Sequence, residues 1–232
     1  MSKFFRFPHT PYIKWLGSGS LRGDKILTNS EIEELLSGEV VVEEKVDGAN
    51  IGISLDDHEK IRVQNRGNYL IEPYIGQFKH LPGWLEKNGY RIQQHLLPNM
   101  IVFGEWCAAR HSLSYTKLPD YFLLFDVYDK EAEKFWSSDR RNFWAHQVGL
   151  KNVPQLSCGR FSVDDLERML GDSKSCYREG SLEGLVVRKD YERWNISRGK
   201  LVQGEFVQSI DTHWSSRPLQ RNKLFFEKCT AK

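Results

Sequence analysis

Apolar and polar positions along this chain alternate between a period near two and a period near 3.6. The β-branched run Val40-Val41-Val42 begins a region, Glu39 to about Val63, that predicts strands. Asp47-Gly48 interrupts it, and Asp-Gly between apolar segments is a strong hairpin signal, so a turn joining two paired strands is expected there. Met100–Trp106, Tyr121–Tyr128, Leu182–Arg188 and Ser197–Phe206 also predict strands, the first two rich in aromatics. Helical spacing covers Ser30–Leu36, where Ser30 and Glu33 have capping-box spacing and Gly38 lies past the end. It covers Gly83–Leu97, closed by Pro98, and Asp139–Val148. It also covers Ser162–Leu170, with Ser162 and Asp165 at its start and Gly171 at its stop. The C-terminal stretch reads as a helix followed by irregular chain. Clustered strands with only occasional helices predict an α+β fold of mainly antiparallel sheets flanked by helices.

Composition narrows the class. The 232 residues are 40% hydrophobic and 28% charged, enough for a sizeable core in a globular protein. No apolar run approaches the roughly 18 residues of a membrane span, and the N-terminal residues lack the apolar stretch of a signal peptide. Cys107, Cys158, Cys176 and Cys229 are scattered, without C-x-x-C pairs, which argues for reduced thiols rather than structural zinc. A cytoplasmic location is expected. The net charge of +2 is small, but ten basic against five acidic residues from Arg188 to Lys232 leave that end positive. Such a basic face suits phosphate or nucleic acid.

The chemistry begins at Glu44-Lys45-Val46-Asp47-Gly48-Ala49-Asn50. An amine at a strand end is well placed to be a nucleophile, although these residues alone fit a solvated lysine beside an ordinary turn better. Companions follow in order: Gln64-Asn65-Arg66, Phe103-Gly104-Glu105-Trp106, Leu124-Phe125-Asp126-Val127-Tyr128-Asp129, Glu183-Gly184-Leu185-Val186-Val187-Arg188 and Arg198-Gly199-Lys200-Leu201-Val202. The series resembles the collinear motifs of the covalent nucleotidyltransferase superfamily: ATP-dependent RNA ligases, DNA ligases and mRNA capping enzymes. Asn50, in K-x-x-G-x-N, is similar to the phage nick-sealing and RNA-editing ligases. Arg110-His111-Ser112 and the stretch from Gly204 to Trp214 resemble small bacterial and phage RNA ligases.

The resemblance implies a nucleotidyltransferase (ATP-grasp-like) domain and a role for each residue. Lys45 would attack the α-phosphate of ATP, expel pyrophosphate and hold AMP. A free lysine is almost wholly protonated at neutral pH, so neighbouring cations or desolvation must favour its neutral form; Arg198, Lys200 and Mg²⁺ could supply that field. Asp47 would fix the turn, and Gly48 would permit positive φ and close approach to the nucleotide. Glu105 would bind the ribose, Phe125 would stack on adenine, and Glu44 would belong to the nucleotide-binding set. Glu183 would hold a metal-bound water for Mg²⁺ or Mn²⁺, while Asp126 would orient a neighbour or a metal-bound water. Arg66 would contact the ribose or an incoming 5′-phosphate, and Asn50, Arg110 and His111 would touch the polynucleotide.

Two positions depart from the superfamily pattern. Arg188 stands where Lys is usual, with Lys189 on the opposite strand face, and would clamp a phosphate. Arg198-Gly199-Lys200 stands for K-x-K, both cations sharing one strand face; the other register, Lys200-Leu201-Val202, leaves Lys200 alone. Only about 30 residues follow Lys200, too few for an appended OB-fold or helical domain. One nucleotidyltransferase domain over 1–232 is therefore expected, with its core at about 20–206. A basic extension over 207–232, including Trp214, Arg217, Arg221 and Lys223, would contact nucleic acid. The expected activity is ATP-dependent joining of RNA 3′-OH and 5′-phosphate ends, those of a nicked duplex included, with no obligate protein partner implied. The alternatives are a minimal DNA ligase, a GTP-using capping-type guanylyltransferase, or an inactive nucleotide- or RNA-binding module.

Overall fold

The computed structural model of the chain describes residues 4–18, 25–204, 206 and 219–225. Trp214, Arg217 and the expected tail helix lie outside the described residues. The fold is α+β: two antiparallel sheets with a cleft between them and helices on their outer faces. The first sheet runs β10 (Trp194–Val202), β9 (Gly184–Tyr191), β1 (Val40–Lys45), β8 (Gln155–Gly159). The second runs β3 (Ile61–Asn65), β2 (Ala49–Leu55), β4 (Met100–Trp106), β5 (Phe122–Asp129), β6 (Lys134–Phe135). A short β7 (Lys151–Asn152) joins β5 in parallel. The helices are α1 (Asn29–Leu36), α2 (Leu81–His95), α3 (Ser138–Val148) and α4 (Val163–Asp172).

Local chemistry accounts for the helix ends. In α1 the capping box is Thr28 with Glu31, not Ser30 with Glu33, so the helix starts one residue earlier than expected. Ser162 and Asp165 close the box of α4, which runs past Gly171. Gly149, at φ 71°, ends α3 in the left-handed conformation that glycine tolerates.

The expected hairpin at Asp47-Gly48 does not form. β1 pairs with β8 and β9, while β2 pairs with β3 and β4, so Val46-Asp47-Gly48 is the crossover from one sheet to the other. Gly48 is not a positive-φ residue, which excludes the primed turn of an Asp-Gly hairpin. It is needed for close approach instead: a Cβ there would stand 2.7 Å from the Trp106 carbonyl oxygen.

Period-two alternation then sorts each strand. Val40 and Val42 join Leu185, Val187 and Leu201 in a core against Leu35 of α1 and Leu166 and Leu170 of α4. Ile51, Ile53, Val102 and Leu124 form a second core against Trp84 and Ile92 of α2. The other faces of the two sheets turn Glu43, Lys45, Asn50 and Glu105 towards the cleft. No described helix is long and apolar enough to cross a membrane.

Candidate active site

The cleft contains a cavity of about 680 Å³, lined from the first sheet by Lys45, Val186, Arg188 and Arg198 and from the second by Asn50, Glu105 and Phe125. Arg66, Phe7, Gln77 and His111 border it from loops and the N-terminal segment. Residues expected from the sequence to act together, some more than a hundred positions apart, thus share one space.

Lys45 lines the cavity, and its Nζ donates to Glu183 Oε1 at 2.6 Å, although Glu183 itself is not among the lining residues. Burial works against the ammonium, but Glu183, Glu105 and Asp47 outweigh it and hold the Lys45 pKa above its ordinary value. The resting amine is therefore a charged, ion-paired group, and the neutral form expected from the sequence has to be created during the reaction. Glu183 Oε2 is buried with no hydrogen-bond partner among the described residues, as is Asn50 Oδ1. No group of three or more His, Cys, Asp or Glu side chains there could hold a metal by itself. One open carboxylate oxygen still fits Mg²⁺ or Mn²⁺, hard cations that keep several waters and share ligands with substrate phosphates. Glu183 is the residue that would hold it.

Glu105 pairs across the ladder with Asn50, so the two share a face. Burial, reinforced by Glu183 and Asp47 and opposed by Lys45, pushes its pKa up to about 8. The raised pKa makes Glu105 easier to protonate than an exposed glutamate; protonated it can donate as well as accept, which suits a ribose hydroxyl.

Phe125 is the extra residue of a β-bulge: Leu124 faces Gly104 and Asp126 faces Phe103. The bulge re-aims its ring towards the cavity, where it meets Phe7 edge-on with centroids 5.2 Å apart. It also frees the Phe125 carbonyl from the ladder. Arg141 Nη1 donates to that oxygen at 2.6 Å and Arg188 Nη1 at 3.3 Å.

These arginines belong to a buried charge network beneath the cavity. Arg141 pairs with Glu43, Arg188 with Asp126 at 2.9 Å, and Arg198 with the other oxygen of Asp126. Arg188 and Arg198 line the cavity together with Glu43 and Asp126, and Asp190 adds its charge to the field on Arg188. Arg188 is 1% exposed and also donates to the Trp136 carbonyl at 3.1 Å, so it props the cavity floor rather than standing free as a phosphate clamp. Lys189 points the other way and caps α1 through the Glu34 carbonyl. Lys200 shares a strand face with Arg198 but does not line the cavity; its Nζ lies 4.1 Å from the Tyr12 ring centroid. From there it still favours the charged form of Glu183.

The remaining expected residues divide. Arg66 lines the cavity, and its Nε is buried with no hydrogen-bond partner among the described residues. Glu44 borders the cavity, but alternation turns its carboxylate to the opposite face, where it accepts from Ser175 Oγ at 2.5 Å and Cys176 N at 2.9 Å. Arg110 does not line the cavity; it is exposed and donates to Gln220 Oε1 at 2.9 Å. Asp47 does not fix a hairpin turn but accepts from Ser112 N at 2.7 Å and Leu113 N at 2.8 Å. His111 contacts Gln77 Oε1 at 2.7 Å through Nε2. The sequence reading missed Glu43, Arg141, Phe7 and Gln77. Only Glu43 had a signal, its place two residues before Lys45 on the same strand face.

Comparison with known proteins agrees with this geometry. A sequence profile of the RNA ligase family matches residues 38–203. No curated protein sequence matches. Among solved structures, a point mutant of Naegleria gruberi RNA ligase with ATP and Mn superposes with a TM-score of 0.68 at 20% identity, covering 90% of this chain and 59% of that one. Another mutant of it, with AMP and Mn, gives 0.63 at 17% identity with the same coverage. The same ligase with pyrophosphate gives 0.62 at 23% identity, covering 78% of this chain and 54% of that one. This chain therefore spans somewhat over half the length of those proteins, and the likeness to them is one of fold. The matched stretch includes Lys45, Glu105, Phe125, Glu183 and Lys200, and the chain belongs to the RNA ligase family.

Proposed function

We propose that this chain is an ATP-dependent RNA ligase that joins 3′-OH and 5′-phosphate ends through a lysyl-AMP intermediate. The observation that carries this reading is the pairing of Lys45 with Glu183, the lysine lining a cavity of about 680 Å³ that the Phe125 ring, Arg188 and Arg198 also line.

ATP enters with its base against Phe125 and its ribose hydroxyls at Glu105. Arg198, which lines the cavity, attracts the triphosphate. Lys45 must lose its proton to solvent water before it attacks, and Glu183, which keeps the amine charged at rest, is the group whose contact with Nζ has to loosen. Glu183 would hold the divalent ion, which would supply positive charge to the phosphates. The Nζ lone pair then forms a bond to the α-phosphorus while the bond to the bridging oxygen breaks, and pyrophosphate leaves with that electron pair. An oxygen of the RNA 5′-phosphate next attacks the α-phosphorus and releases the Lys45 amine. Finally the 3′-hydroxyl attacks the activated 5′-phosphate and expels AMP. Asn50, with its unpartnered oxygen, and Arg66 are placed to hold the RNA end. RNA ends as the partner and a cytoplasmic location belong to this same reading.

The test is incubation with α-labelled ATP, GTP or NAD and Mn²⁺. A covalent label from ATP alone, lost in Lys45→Ala, is expected. Label from GTP would favour a capping-type enzyme, a surviving label in Lys45→Ala would remove the nucleophile, and no label would leave a binding module. Sealing assays on RNA and DNA nicks then separate an RNA ligase from a DNA ligase.

A further inference from the structure

Residues 219–225 lie beyond the stretch that matches the family, yet they are bound tightly to the loop in front of Lys45. Asn222 is 2% exposed, and its side chain is fully engaged. Its Oδ1 accepts from Tyr115 N at 2.8 Å, and its Nδ2 donates to the Cys107 carbonyl at 2.9 Å and the Ala109 carbonyl at 3.1 Å. Its backbone N–H reaches the Ala108 carbonyl at 3.2 Å, and Lys223 N donates to the Tyr115 carbonyl at 2.9 Å. One side chain therefore ties both ends of the 107–115 loop together.

That loop grips the segment after the nucleophile. Ser112 and Leu113 donate to the Asp47 carboxylate, and the Tyr115 hydroxyl accepts from Asp47 N at 2.9 Å. β1 ends at Lys45, and Val46-Asp47-Gly48 belongs to neither sheet, so the direction in which the chain leaves Lys45 is set largely by these three bonds. Asp47 is two residues from the amine, and a small rotation there displaces Nζ from the line of attack.

We propose that Asn222 is a positioning residue for lysyl-AMP formation, acting through Tyr115 and Asp47 on Lys45. The proposal rests on the reading of Lys45 as the nucleophile. Displacements of an ångström or less in a reacting group are costly in rate, whereas ATP binding relies on Phe125, Glu105, Arg188 and Arg198, whose hydrogen bonds among the described residues do not involve Asn222, Tyr115 or Asp47.

The experiment measures single-turnover labelling by α-labelled ATP with Mn²⁺ on the full chain. It uses Asn222→Asp, which keeps the shape and the acceptor but loses both donors, and Tyr115→Phe, which removes one oxygen. Circular dichroism fixes a temperature at which each variant is folded. Each is expected to slow labelling at saturating ATP by between about 10- and 100-fold, while the half-saturating ATP concentration moves less than about threefold. The double variant is expected to be no slower than the slower single, because both changes break one relay. A merely stabilising Asn222 would lower the melting temperature and leave the rate of the folded protein unchanged, and that result overturns the proposal. So do losses that multiply in the double variant. If Asn222→Asp does not fold, a folded Tyr115→Phe decides, a wild-type rate counting against the relay. A wild-type chain that takes no label overturns the ligase reading and this proposal together; label on the wild type with unaffected variants overturns the proposal alone.

Discussion

Lys45 and Glu183, 138 positions apart in sequence, meet at 2.6 Å because β1 and β9 pair in a register that sets Lys45 opposite Gly184. The pair stores Lys45 as an ammonium, and Glu183 foremost among the carboxylates keeps it so. Glu183→Gln removes that charge, so the Lys45 pKa is expected to fall and its labelling by an amine-directed reagent to begin at lower pH, read by peptide mapping. Adduct formation with ATP is nevertheless expected to drop by about 100-fold, the usual cost of losing one preorganised electrostatic group. An unchanged labelling profile would show that Glu183 does not set the amine's charge.

Glu105 gives the fold a pH dependence. Its folded pKa, about 8, lies above the value of 4.5 for an exposed glutamate, so the native chain binds more protons than the unfolded chain between those values. Stability must then fall as pH rises through that window, and Glu183, also raised by burial, acts in the same sense. Thermal melts without nucleotide should show the decline, Glu105→Gln should flatten it, and at pH 8 the variant should melt above wild type. A steeper decline in the variant would contradict this assignment.

Arg141 is fully buried and pairs with Glu43. Arg141→Met takes from Glu43 its nearest partner, leaving Arg188 at 4.0 Å, and takes the shorter of two donors from the Phe125 carbonyl, so a loss of about 3 kcal/mol in urea unfolding is expected, the lower end for a broken buried pair. Adding Glu43→Gln should recover part of that loss. Additive losses would mean that the two residues do not act as a pair.

Gly48→Ala tests the crossover. The added methyl would stand 2.7 Å from the Trp106 carbonyl oxygen and 3.0 Å from Glu105 Cγ. A loss of about 1–3 kcal/mol is expected from overpacking, together with slower labelling by ATP, since Glu105 must move. A variant with wild-type melting temperature and rate would show that the sheets can part there at no cost.

Salt should separate the steps. RNA binding through phosphate contacts loses affinity by a log–log slope of about 0.7–0.9 per contact. Sealing of RNA ends at limiting RNA is therefore expected to fall more steeply between 50 and 200 mM salt (roughly the range over which such contacts weaken) than lysyl-AMP formation at saturating ATP. Equal salt dependence would argue against a cationic RNA surface.

Much of the fold was legible because its signals are local. Alternation in Val40–Lys45 marks a strand with Lys45 and Glu43 on one face, and Ser162 with Asp165 marks a helix start within four residues. Where two local signals competed, the sequence alone chose wrongly: Thr28 with Glu31 caps α1, although Ser30 with Glu33 has the same spacing. The hairpin at Asp47-Gly48 failed for a different reason. Turn propensity is worth little against the burial gained when β1 packs between β8 and β9.

By itself, then, the sequence determined the strands on which Lys45, Glu105, Phe125 and Lys200 stand and their order along the chain, because residue type and short-range periodicity are written in the chain. Tertiary structure alone decided how their side chains are placed. It buried Arg188 among carboxylates instead of leaving it for phosphate, turned the Glu44 side chain away from the cleft, and raised the pKa of Glu105 to about 8. It also closed the 107–115 loop over Asp47 with Asn222. Each of these depends on desolvation and on partners distant in sequence, and no local pattern encodes either.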